Sequence, residues 1–75
     1  MAARVSKSKA LSELAKQAYR VEKETADGNI VLLGPTGDHN ALHLNCDADT
    51  DDFDREELLQ ALERQQDIDT SKLAL

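Results

Sequence analysis

NIVLLGPTGDHNALHLNC, residues 29–46, is the segment on which the architecture expected from this sequence depends. Its first apolar run, Ile30 to Leu33, does not alternate with polar residues, which is typical of a strand covered on both faces. Its second run alternates, with Leu42, Leu44 and Cys46 on one side of an extended chain. The residues between the two runs favour a turn. The segment therefore predicts an antiparallel β-hairpin.

An amphipathic helix is expected on each side of this hairpin. Before it, apolar residues recur at helical spacing: Leu11, Leu14, Ala15, Ala18, Val21 and Thr25. Ser6 or Ser8 would cap this first helix, and Asp27-Gly28 would end it. After the hairpin, residues 54–66 predict a second helix with Asp52 or Asp54 as its cap; if Asp54 is the cap, Glu57 stands at the third helical position.

These elements predict an α+β fold in the order helix, two-stranded antiparallel β-hairpin, helix. A lone hairpin is unstable in water, so the two helices would cover one of its faces. We expect a homodimer through the hairpin, or a partner protein, to cover the other face or the open strand edge. The alternative is a short strand that carries two half-exposed aliphatic residues.

With 75 residues, the chain has room for one small domain, 1–75. Residues 1–6 are expected to be frayed, and residues 68–75 form either a mobile tail or an arm that docks elsewhere. A chain of this size buries only about 60% of its unfolded surface, so a deep catalytic cleft is not expected. The sequence therefore predicts a protein that is not an enzyme and holds no cofactor.

A single cysteine, Cys46, excludes an intramolecular disulfide and favours a reducing, cytoplasmic location. No run approaches the roughly 20 apolar residues of a membrane helix, so a membrane association is not expected.

The charge is unevenly distributed along the chain, which has a formal net charge of -6. The first third is basic, and the remainder is acidic. This pattern predicts a non-enzymatic accessory protein, inhibitor or regulator that binds a protein partner through an acidic surface. Basic and nucleic-acid-binding proteins are partners of the kind that such a surface would suit. The residues expected to bind that partner are Asp49, Asp51, Asp52, Glu56 and Glu63.

Two other functions remain open. The first is a DNA-binding transcriptional regulator that uses the basic first helix, with the phosphate contacts made by Lys7, Lys9, Lys16, Arg20 and Lys23. The second is weak calcium binding by Asp47 to Glu57. That segment begins like a calcium loop, but it has Asp52 where glycine is needed and Leu58 where a bidentate glutamate is needed.

Zinc and nucleotide sites are not expected. His39 and His43 would share one face of an extended strand while Cys46 points to the other, so four convergent ligands are missing. The same geometry argues against a catalytic pair of Cys46 and His43. The turn from Gly34 to Asp38 has no lysine and leads into a strand, unlike a phosphate-binding loop.

Overall fold

The computed structural model describes residues 3–35 and 37–75, with residues 37–40 described as backbone only. Within these residues the chain forms five β-strands, two α-helices and one short 3-10 helix. In chain order the elements are β1 Arg4–Ser6, α1 Lys7–Lys16, β2 Arg20–Glu24, β3 Asn29–Gly34, β4 Gly37–Asn45, β5 Asp52–Asp54, α2 Arg55–Gln66 and the 3-10 helix Thr70–Lys72.

The fold is a mixed α+β fold, and the predicted helix, two-stranded hairpin, helix architecture is wrong. The two hairpin strands, β3 and β4, belong to an antiparallel sheet of three strands in the order β2-β3-β4. A second, two-stranded sheet joins β1 to β5 near the two ends of the chain. The edge of β3 that a second copy or a partner was expected to cover is therefore occupied by β2 of the same chain.

The predicted and observed folds differ because α1 ends at Lys16 instead of continuing to Thr25. Ala18 adopts a left-handed conformation with φ of 67°. The backbone N–H of Ala18 donates to the carbonyl of Ala15 at 3.0 Å, and that of Tyr19 donates to the carbonyl of Leu14, also at 3.0 Å. These two bonds form a Schellman motif, which satisfies the last helical carbonyls and turns the chain away from the helix.

After this turn, β2 runs antiparallel to β3. Arg20 pairs with Leu33 and Glu24 with Ile30. The register shifts between Val21 and Lys23, which pair with the adjacent residues Leu32 and Val31. The extra residue in β2 is Glu22, so the strand contains a β-bulge at that position.

The core lies between one face of the three-stranded sheet and the two helices. Ile30 and Leu32 of β3 are 1% exposed, and their cross-strand partners Leu44 and Leu42 on β4 are also buried. The helices contribute Ala10, Leu14, Leu58 and Leu62 to the same cluster. Successive strand residues point to opposite faces, so Val31 and Leu33, both half-buried, lie on the outer face of the sheet.

The second helix begins where the sequence predicts. Asp54 is its N-cap, and Asp54 Oδ1 accepts hydrogen bonds from the backbone N–H groups of Glu56 at 3.0 Å and Glu57 at 3.5 Å. The helix ends at Gln66, and its C-cap residue Asp67 is left-handed with φ of 51°. The segment after Asp67 returns to the core, because Leu73 is buried there.

We expect Ala18→Gly to raise the free energy of unfolding by about 1 kcal/mol. Glycine adopts the left-handed conformation without the steric strain that a Cβ atom causes there. The measurement is urea unfolding followed by circular dichroism.

The matched control is Ala15→Gly, the same change at an exposed position inside α1. It is expected to lower the free energy of unfolding by about 1 kcal/mol, because glycine destabilises a helix interior. Destabilisation by Ala18→Gly comparable to that of Ala15→Gly would show that α1 continues through Ala18.

Candidate functional site

A depression of about 410 Å³ lies where the β2–β3 turn, the end of β4 and the start of α2 meet. Four carboxylates, one guanidinium and three uncharged residues line it. They are Asp27, Asp47, Asp54, Glu57, Arg4, Asn45, Cys46 and Ala48. We call this feature the acidic depression. Its acidic residues come from three separate parts of the chain.

Gly28 brings Asp27 to the acidic depression. The Gly28 carbonyl accepts a 2.7 Å hydrogen bond from the backbone N–H of Cys46, so the β2–β3 turn docks on the end of β4. Gly28 has φ of 94°, and a Cβ atom there would lie 2.1 Å from the Cys46 carbonyl oxygen. Only glycine allows this close approach of two backbone segments.

Arg4 holds one side of the acidic depression together. Its Nε donates to Asp52 Oδ1 at 3.0 Å, and its Nη2 donates to Asp47 Oδ2 at 3.2 Å. The hydrogen bond from Arg4, followed by one from the Thr50 hydroxyl, lowers the pKa of the Asp52 carboxyl. The same bond to Asp52 raises the pKa of Arg4. Arg4 therefore ties β1 to the acidic connector between β4 and β5.

The other carboxylates of the acidic depression have no such cation. Asp54 Oδ1 accepts from the first backbone N–H groups of α2, as described above. Asp27 and Glu57 are exposed, and neither makes an ion pair within the residues that the structure describes. The acidic depression is thus lined by four carboxylates and one guanidinium, and Asp27 and Glu57 are exposed to a cation from outside.

The acidic connector between β4 and β5 is shaped by bonds within the protein. Asp47 Oδ1 accepts from the backbone N–H of Asp49 at 3.1 Å, and Lys7 Nζ lies 3.2 Å from Asp51 Oδ1 and 3.0 Å from Glu24 Oε1. Among the described residues, no group of three or more acidic, histidine or cysteine side chains is arranged to hold a metal ion. The segment considered for calcium is thus organised by Arg4 and Lys7.

The five acidic residues predicted to bind a partner have different surroundings. Asp51 and Asp52 are ion-paired with Lys7 and Arg4. Glu63, Asp49 and Glu56 are exposed, and Glu63 accepts a 3.2 Å hydrogen bond from the Thr70 hydroxyl. None of the five lines the acidic depression.

None of the four carboxylates that line the acidic depression was predicted from the sequence as a partner-binding residue, although Asp47, Asp54 and Glu57 lie in the segment predicted as an alternative calcium site. The spacing of Asp54 and Glu57 on one helical turn was a usable signal, since it places both at the start of α2. Asp27 carries no comparable signal, because only the docking of the Gly28 turn brings it to this place.

The basic residues do not share one helix. Lys7, Lys9 and Lys16 lie on α1, but Arg20 and Lys23 lie on β2. Lys7 is paired as described above, and Lys16 Nζ lies 2.9 Å from Glu13 Oε2. That hydrogen bond, followed by one from the Ala74 backbone N–H, lowers the pKa of Glu13. The predicted single basic helix for nucleic acid is therefore divided between two elements.

His43 on β4 is exposed, whereas Cys46, which directly follows β4, is buried. Cys46 is 6% exposed, and its thiol contacts the carbonyl oxygen of Asp52 at 3.4 Å. Burial raises the pKa of this thiol, so it is a weak nucleophile. His43 is exposed, and the side chain of His39 lies outside the described part of the chain.

Comparison with known protein families, with curated proteins and with solved structures finds no match to this chain. Among the described residues, no helix has both the length and the apolar composition needed to cross a membrane.

The Arg4–Asp52 pair predicts an acid-sensitive fold. A carboxyl whose pKa is lower in the folded state than in the unfolded state stabilises the fold above its unfolded pKa, and this stability is lost as the pH falls through its folded pKa. We expect the urea concentration at the unfolding midpoint to decrease as the pH is lowered below about 5. In Arg4→Gln the fall should be shallower, because the pKa of Asp52 returns toward its usual value.

The control is Arg64→Gln, which removes one exposed positive charge from α2. Its urea midpoint is expected to follow the pH as steeply as that of the unmodified protein. Equal pH dependence in Arg4→Gln and the unmodified protein would contradict the role assigned to Arg4.

Proposed function

We propose that this protein is a small, non-enzymatic interaction module that binds a basic segment of a protein partner at the acidic depression. It acts as an accessory protein, inhibitor or regulator in the reducing environment that its single cysteine favours. The observation that carries this proposal is that Asp27, Asp47, Asp54 and Glu57 line one depression in which Arg4 supplies the single guanidinium.

The arrangement suits a lysine or arginine side chain from outside. Arg4 offsets the charge of Asp47, which leaves Asp27 and Glu57 to approach a second cation. One exposed ion pair contributes only about 0.2 to 1 kcal/mol, so several contacts must form together for useful affinity. The net charge of -6 would also accelerate encounter with a basic partner.

An acidic surface of this kind can compete with nucleic acid. A partner that binds phosphates presents clustered lysine and arginine side chains, and these are the groups that the acidic depression would accept. Inhibition of a nucleic-acid-binding protein is therefore one form of the proposed activity. Direct binding of DNA by this chain has less support, because its basic residues are divided between α1 and β2.

The test uses a ten-residue lysine peptide as a probe, titrated at about 0.15 M salt, where long-range attraction between exposed charges is screened. We expect the amide signals of residues 27, 45–48 and 54–57 to shift most in a nuclear magnetic resonance titration. Asp27→Asn combined with Glu57→Gln should weaken binding about tenfold, since each exposed ion pair contributes up to about 1 kcal/mol.

The matched control combines Glu22→Gln with Asp67→Asn, which removes the same charge from exposed positions outside the acidic depression. We expect this control to bind the peptide like the unmodified protein. Equal weakening in both double variants would mean that the peptide responds only to net charge, and the proposed site would be wrong.

Capture of partners from nuclease-treated lysate then compares the same two double variants. A protein that the unmodified chain and the control retain, and that Asp27→Asn with Glu57→Gln loses, is the expected result. Recovery of nucleic acid alone, lost after Lys9→Glu with Lys16→Glu, would favour a DNA-binding regulator.

A further inference from the structure

The outer strands of the three-stranded sheet are β2 and β4, and among the described residues only on β4 does a side chain cover the hydrogen-bonding groups of the outer edge at one point. On β4, the side-chain amide of Gln65 forms two backbone hydrogen bonds with His43. The His43 N–H donates to Gln65 Oε1 at 2.8 Å, and Gln65 Nε2 donates to the His43 carbonyl at 2.8 Å. This amide takes the place of a neighbouring strand and covers the edge of β4 at that point.

The edge of β2 has a different character. β2 is the other outer strand of the sheet, and all five of its residues are exposed. Val21 is 41% exposed, and it is the only large hydrophobic residue classed as exposed in the described part of the chain. An outer strand with an exposed apolar residue is a site where a further strand can be added.

The charges of β2 favour pairing of this strand with β2 of a second copy of the chain. Its sequence, RVEKE, has two basic and two acidic residues, so the strand is neutral although the chain has a net charge of -6. Antiparallel pairing of two copies about Val21 places the two Val21 residues opposite each other. It also places Arg20 of each copy opposite Glu22 of the second copy, which gives two attractive pairs.

We propose that two copies of this chain associate antiparallel through β2, centred on Val21, and form a continuous six-stranded sheet. The neighbouring registers are less favourable. Centring the pair on Glu22 would oppose two glutamates, and centring it on Lys23 would oppose two lysines; directly opposed like charges destabilise a strand pair.

The association is expected to be weak. The bulge at Glu22 interrupts the regular strand, so the paired segment is short and the buried area small. Pairing through the edge of β2 leaves the acidic depression free, because no β2 residue lines it. The inference is thus independent of the function proposed above.

Charge exchange across the pair tests this register. In the Arg20→Glu variant, the new glutamate of each copy faces Glu22 of the second copy. In the Glu22→Arg variant, the new arginine of each copy faces Arg20 of the second copy. Each single variant should raise the dimer dissociation constant by at least about tenfold. The double variant, Arg20→Glu with Glu22→Arg, restores opposite charges and should recover the dissociation constant of the unmodified protein. An equimolar mixture of the two single variants should form heterodimers for the same reason.

Sedimentation equilibrium over about 10 μM to 1 mM measures these constants, and circular dichroism checks that each variant is folded. Lys9→Glu matches the charge change of Arg20→Glu, and Asp49→Arg matches that of Glu22→Arg. Both controls change exposed residues outside β2 and should dimerise like the unmodified protein.

Three results would overturn the proposal. The first is an unmodified protein that stays monomeric over the whole concentration range. The second is a dimer that neither single variant weakens. The third is a double variant that fails to recover the dimer although it is folded. A monomer whose β2 amide signals shift with an unrelated extended peptide would instead assign this edge to another protein.

Discussion

The left-handed turn at Ala18 is the constraint on which the rest of the structure depends. Its two backbone bonds, from Ala18 to Ala15 and from Tyr19 to Leu14, end α1 and reverse the chain. Tyr19 then enters the core, and its hydroxyl donates to Gln66 Oε1 at 3.1 Å, which links the turn to α2. Residues 20–24 are thereby available as a third strand of the sheet.

The three-stranded sheet β2-β3-β4 forms both the acidic depression and the outer edge of β2. Because β2 pairs with β3, the turn between them ends beside β4, where Gly28 docks on Cys46 and brings Asp27 to the acidic depression. The outward side of β2 becomes the free edge of the sheet. A continuous first helix would provide neither the third strand nor this convergence of carboxylates.

Local signals in the sequence were sufficient for part of the fold. The Asp54 cap and the alternation of Leu42, Leu44 and Cys46 predicted α2 and β4, because both depend on neighbouring residues. The stop at Ala18 gave no signal, since alanine is the best helix former and Schellman motifs usually have glycine at this position. The three-residue strands β1 and β5 are too short for a periodic pattern, so their pairing was not predicted.

The third strand and both proposed surfaces depend on the conformation of residues 17–24, which nuclear Overhauser effects measure in solution. We expect cross-strand contacts between backbone protons of Arg20 and Leu33 and between those of Lys23 and Val31. Helical contacts between residues three apart are expected to end at Ala18. Helical contacts that continue through Val21, with the cross-strand contacts missing, would contradict the third strand and both surfaces that depend on it.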